Sequence, residues 1–118
     1  MANPNILSVN TIRGKTLFGD VTTSATTFMT NAASSGELIK INSLLAINRG
    51  GDQGDLTIKI SKNGTLYFLA NAMTVPTNSN LVLLTRDMQW YLEENDFIQA
   101  FCSVANTITL ACSYESIL

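Results

Sequence analysis

The groups in this chain with chemistry to offer are nine side-chain carboxylates and two thiols, for it contains no histidine. Imidazole is the usual acid–base group near neutral pH and the commonest metal ligand, so its absence removes most enzyme classes at once. Glu93, Glu94 and Asp96 cluster behind Trp90-Tyr91-Leu92. Paired carboxylates serve as general acid and base only where their surroundings raise one of the two pKa values. A Glu-Glu-Asn-Asp run reads instead as an exposed turn between strands, its charges solvated. Asp52 and Asp55 stand beside three glycines and offer hard oxygen ligands to Ca²⁺, but without the regular alternation of a calcium loop. Serine and threonine are plentiful, yet no histidine is present to deprotonate them and no S-x-x-K pair occurs. Gly14-Lys15-Thr16 looks like the end of a phosphate-binding loop, but that motif needs glycine where Val9 stands and a helix where a strand pattern follows. The preferred reading is a tight bend or bulge in a strand, with Gly14 in the awkward conformation. Asn63-Gly64-Thr65 matches a glycosylation sequon and reads as a turn. No catalytic residue, metal ligand or cofactor is expected.

Composition narrows the partners. The 118 residues suffice for one domain with a core of its own. Hydrophobic residues make up 46% and charged residues only 14%, well below the roughly 25% of an average soluble protein. Small neutral polar groups replace the missing charge: 14 Thr, 12 Asn and 10 Ser. A net charge of −2, a pI near 4.8 and scattered basic residues give no electrostatic footprint for nucleic acid. No apolar stretch approaches the ~18 residues of a membrane span, and the first residues show neither a positive n-region nor an apolar h-region. The chain is therefore expected to fold in a cytoplasm, with no membrane and no nucleic acid among its partners.

Periodicity reads as strand nearly everywhere, with turn residues between the alternating segments. Strands are expected at 6–9, 11–18, 25–31, 37–48, 55–62, 65–72, 80–85, 89–92, 97–104 and 107–114. The fold class is all-β: a single-domain antiparallel β-sandwich, jelly-roll-like, of about eight strands, over residues 11–118. Residues 1–10 are polar, carry Pro4 and precede the regular pattern, so they read as an extended N-terminal arm that docks on a neighbour or frays. Its contact residues would be Asn3, Pro4, Asn5 and Ile6. Asn63-Gly64 suits both centres of a type I′ hairpin turn and leaves Leu56, Ile58 and Ile60 on one face. A second hairpin is expected across Ala105-Asn106-Thr107, with Ile98, Ala100, Cys102 and Val104 on the inward side of one strand and Ile108, Leu110, Cys112 and Tyr114 on that of the other. The register of this three-residue loop sets Cys102 and Cys112 diagonally, too far apart for an unstrained disulfide, whereas one two residues longer would pair them directly; buried free thiols are the preferred expectation. Asn48 to Asp55 forms a flexible excursion, and Pro76 to Asn80 a polar turn.

One conflict in the pattern carries further. Neighbours in a strand point to opposite faces, yet both members of Tyr67-Phe68, Trp90-Tyr91 and Leu44-Leu45 are large and apolar, as is the whole run Leu81 to Leu84. Strands apolar on both faces need a cover on both sides. In a chain this short the second cover is another subunit, which makes an oligomer the expectation and Tyr67, Trp90 and Tyr91 its candidate interface aromatics.

Several segments resemble a known group. The opening Met1-Ala2-Asn3-Pro4-Asn5-Ile6, then Thr11-Ile12-Arg13-Gly14-Lys15-Thr16, Lys40 to Asn48, Asp55-Leu56-Thr57-Ile58 and Tyr91-Leu92-Glu93-Glu94-Asn95-Asp96-Phe97-Ile98 are similar to small virion proteins of tailed bacteriophages, cyanophages among them. Asn95 stands where that group carries glycine, a replacement that still tolerates positive φ. The resemblance implies a β-sandwich in the assembled particle without enzymatic activity. Its partners would be phage capsid or tail proteins and further copies of itself, as a trimer or dimer. It fits a capsid decoration (cement) protein on the outside of the head, or alternatively a neck, tail or fibre module of the same virion, with surface-ligand binding possible at its loops.

Overall fold

The structure is a computed structural model that describes residues 11–85, 87, 90–104 and 107–118. The arm over 1–10, with Asn3, Pro4, Asn5 and Ile6, and the strand expected at 6–9 lie outside the described residues, as do Gln89, Ala105 and Asn106. The described residues form nine strands: β1 (Ile12–Asp20), β2 (Thr26–Thr30), β3 (Leu38–Asn48), β4 (Gly54–Lys62), β5 (Thr65–Val75), β6 (Ser79–Leu84), β7 (Trp90–Leu92), β8 (Phe97–Cys102) and β9 (Ile108–Ile117). Two antiparallel sheets face each other, one ordered β1-β9-β3-β6 with β7 also on β3, the other β2-β8-β4-β5.

The pairing has a simple logic. β4 pairs β5, β3 pairs β6 and β7, β2 pairs β8 and β1 pairs β9. The chain is thus one long antiparallel ribbon, doubled back at Asn63-Gly64 and rolled so that β3–β9 and β4–β8 contacts stitch its two sheets. That is the jelly-roll-like order, with the strand opposite β3 broken into β6 and β7. The expected I′ turn sits at the fold of the ribbon: Asn63 has φ 53° and Gly64 φ 85°.

The core fills the space between the sheets. Ile39, Ile41, Leu44 and Ala46 of β3 and Leu110 and Cys112 of β9 face Leu56, Ile58 and Ile60 of β4 and Ile98, Ala100 and Cys102 of β8, all buried. The inward parities read from the sequence are the observed ones up to Val104, which lies beyond the end of β8 and outside the core, while Tyr114 is half-buried and packs against the core. The second hairpin is not formed: β8 pairs β2 and β4 in one sheet, and β9 pairs β1 and β3 in the other. Two inward-facing strands joined by a short loop satisfy the same pattern as ladder neighbours or as opposite walls of a sandwich, and alternation alone does not distinguish them. Cys102 and Cys112 are free and buried, now on facing sheets.

Two other expectations are corrected. Gly14 is neither bent nor bulged: it pairs Glu115 in an unbroken β1–β9 ladder, while the register shifts fall in β2–β8, β3–β6, β3–β9 and β4–β5. The Glu93 to Asp96 segment is a turn, but its last charge is not solvated, since Asp96 is only 1% exposed.

Candidate functional site

Both ends of the sandwich are closed by a buried asparagine that does the work of backbone. Asn31 donates its Nδ2 hydrogens to the carbonyls of Glu37 and Leu92, each at 2.8 Å, and its Oδ1 accepts from Ser35. Beside it, Asp96 accepts from the Lys62 ammonium at 2.7 Å, from the Glu93 amide at 2.9 Å and from the Asn63 amide at 3.3 Å. Backbone bonds from Asn31 N–H to Asp96 and from Asn95 N–H to Asn31 join the two clusters. Asn95 accommodates φ 73° here. At the opposite end Asn48 donates to the carbonyls of Asp52 and Val75 and accepts from the Gly50 amide, so the Asn48 to Asp55 excursion is pinned at its root. These polar groups are consumed by architecture. Asp96, the one buried carboxylate of the Glu93 to Asp96 run, holds a lysine and two amides and is not arranged as an acid–base partner.

The thiols are equally committed. Burial pushes the Cys112 thiol up to about 12 and raises that of Cys102, whose Sγ hydrogen-bonds the Val104 carbonyl at 2.6 Å. Burial also raises the Tyr114 hydroxyl, helped by the negative charge of Glu37. Among the described residues no three His, Cys, Asp or Glu side chains gather as a metal site would require. Among the described residues no helix is long and apolar enough to cross a membrane.

What the structure offers is surface. Tyr67, Trp90 and Tyr91 do not form one cluster. Trp90 pairs Ile41, faces inward and packs on the core, whereas Tyr91 pairs Lys40 and stands on the outer face, 37% exposed. Both line an open cleft of about 370 Å³ with Ile60, Lys62 and Glu93. Tyr67 pairs Ile60 on the edge strand β5, is 56% exposed, and is not among the residues lining that cleft. Its neighbour Phe68 points to the outer side, where the Lys59 ammonium lies 4.9 Å from its ring centre and 6.0 Å from that of Phe101. A second open cleft, of about 400 Å³, is lined by Asp55, Thr57, Ala72 and Phe101 among others, and the Cys102 at its wall is the unreactive thiol just described.

The larger feature is the outer face of the β1-β9-β3-β6 sheet. Phe18 pairs Ala111, Ala111 pairs Leu45 and Leu45 pairs Val82, an apolar row across all four strands. Phe18 and Val82 are among the most exposed large hydrophobic residues, and Leu45 is half-buried. On one side of this row lie Thr16, Ser113 and Ser43, followed by Gly14, Glu115, Lys40 and Tyr91. On the other side lie Asp20, Thr109, Ile47 and Asn80. The charges of the face are paired within the chain, Lys40 with Glu115 at 3.7 Å and Arg49 with Asp20 at 3.4 Å. The two-sided run Leu44-Leu45 and Leu81 to Leu84 signalled this face in the sequence. Phe18 and Ala111 joined it only through pairings between segments far apart in the chain.

No family profile and no curated protein matches the sequence. Comparison with solved structures does find likenesses. A chain of the T13 IBDV viral particle superposes with a TM-score of 0.51 at 12% identity, over 94% of this chain and 32% of that one. Two structures of a pentameric capsid protein isolated from metagenomic phage sequences match at 16% identity with TM-scores of 0.39 and 0.37, over 85% of this chain and 60% and 59% of theirs. This chain therefore spans about a third of the first and some three fifths of the others. The sandwich is thus a fold shared with a chain of that viral particle.

Proposed function

We propose that this chain is a non-enzymatic structural protein of a bacteriophage virion, a decoration (cement) protein that binds the outside of the head as an oligomer and stabilises it. The observation that carries the proposal is the outer face of the β1-β9-β3-β6 sheet, apolar along its centre, rich in hydroxyl groups and with its charges already paired. A contiguous apolar patch of this kind is a hallmark of a protein that works by contact. The rolled-ribbon fold, the resemblance of its sequence segments to small phage virion proteins, and polar groups spent on closing the sandwich support the same reading. Low charge suits it too, because closely packed copies with high net charge would repel one another. In this reading residues 1–10, through Asn3, Pro4, Asn5 and Ile6, lace the chain to a neighbour, and its exposed aromatics contribute contact area.

The test is to add the purified chain to expanded heads that lack it. Saturable coating of the head, with a raised temperature of head disruption, is the expected result. Removal of residues 1–10 is expected to weaken coating much more than it lowers the melting temperature of the free chain. Binding to tails alone would move the protein to an appendage, and binding to no part of the particle would end the proposal.

A further inference from the structure

We propose that the outer face of the β1-β9-β3-β6 sheet is a two-fold interface with a second copy of this chain, packed face to face so that β9 of one copy lies over β3 of the other and β1 over β6. The inference deepens the oligomeric part of the function proposed above and rests on it only for its biological setting. Its basis is that the face complements its own reverse. Read across the strands, the apolar row is Phe18, Ala111, Leu45, Val82. A two-fold axis parallel to the strands, running between β9 and β3, reverses the order on the second copy. Phe18 then meets Val82, and Ala111 meets Leu45: a large side chain against a smaller one at each position, as interdigitating layers require. The other flip, about an axis along the row, would set Phe18 on Phe18 and Ala111 on Ala111, one crowded and one hollow.

The charged row obeys the same rule. It reads Gly14, Glu115, Lys40, Tyr91, and its reversal places Lys40 over the second copy's Glu115, so that two ion pairs become a square of alternating charges. It also places Tyr91 over Gly14, where a Cβ would meet no atom within 4 Å. Between these rows Ser113 lies over the second copy's Ser43, hydroxyl to hydroxyl. Four strands about 4.8 Å apart and seven residues at about 3.3 Å each outline a face of roughly 400 Å² in projection. Side chains make the accessible area larger, so two copies bury on the order of 1,000 Å², the lower bound for a specific interface.

Phe18 and Val82 are 64% and 59% exposed, so charges introduced there leave the fold intact, which far-UV circular dichroism and melting temperature verify. Sedimentation of the purified full chain is expected to give twice the 12.8 kDa monomer mass. Phe18→Asp alone and Val82→Lys alone are expected to give monomers, and the double variant is expected to return to the dimer, because each introduced carboxylate then faces an introduced ammonium. A monomeric parent chain, single variants that remain associated, or a double variant that stays monomeric would each overturn the interface. A monomer that still coats heads leaves the decoration role standing without this interface; a dimer rescued by the charge swap that binds no head does the reverse.

Discussion

Asp96 shows how a charged residue is spent on structure. Its carboxylate is buried and receives one ammonium and two backbone amides, which bind the β4–β5 turn to the segment between β7 and β8. Asp96→Ala would leave these donors without their acceptor at a buried position, at a cost of about 3 kcal/mol. Asp96→Asn keeps the shape and one acceptor oxygen and is expected to cost less; urea denaturation of the two variants measures the difference. Cys112 gives a second test at this scale. Its thiol ionises near 9 when unfolded and only at about 12 in the native state, so the folded form holds its proton more tightly. The resulting stability is complete below pH 9 and is lost as pH rises from there towards 12. Cys112→Ser, or better Cys112→Ala, should flatten the alkaline limb of the stability curve. In the native parent chain, thiol reagents at neutral pH should modify Cys112 only at the rate of unfolding.

At the scale of elements, the Asn63-Gly64 turn stands at the midpoint of the rolled ribbon, and the β4–β5 ladder extends from it. Gly64→Ala places a β-carbon on a residue with φ 85° and is expected to cost about 1–2 kcal/mol, read as a lower melting temperature. If the turn organises the ribbon early, the loss appears mainly as slower folding. Gly50 is constrained differently: a Cβ there would lie 2.6 Å from Thr107 Cγ2, so Gly50→Ala is expected to disturb the joint between the Asn48 to Asp55 loop and the start of β9. The turn and the inward parities were legible because they depend on neighbours in sequence. The pairing of β8 and β9 with other strands was not, since Ile98, Ala100 and Cys102 bury the same faces whether Leu110 and Cys112 lie beside them or across the core. The role of Asp96 was hidden for a similar reason. A Glu-Glu-Asn-Asp run has the composition of a solvated turn, and only Lys62, brought in by the distant β4–β5 turn, explains why one of its carboxylates is buried.

For the whole molecule, two-sidedness was the signal that survived from sequence to structure. Leu44 faces the core and Leu45 the outer surface, Trp90 packs inward and Tyr91 stands outside. A closed sandwich has filled its core, so the apolar residues left on the outer face call for another surface, which a second copy of the chain supplies. A row such as Phe18, Ala111, Leu45 and Val82 is assembled from four distant segments and has no linear signature. The most direct test of the central claim is immunogold labelling of the virion that carries this chain, with an antibody against the chain and negative-stain imaging. Gold distributed over the whole head is the predicted result. Gold confined to the tail would contradict the decoration role, and unlabelled particles whose denatured proteins also lack the chain would contradict a place in the virion altogether.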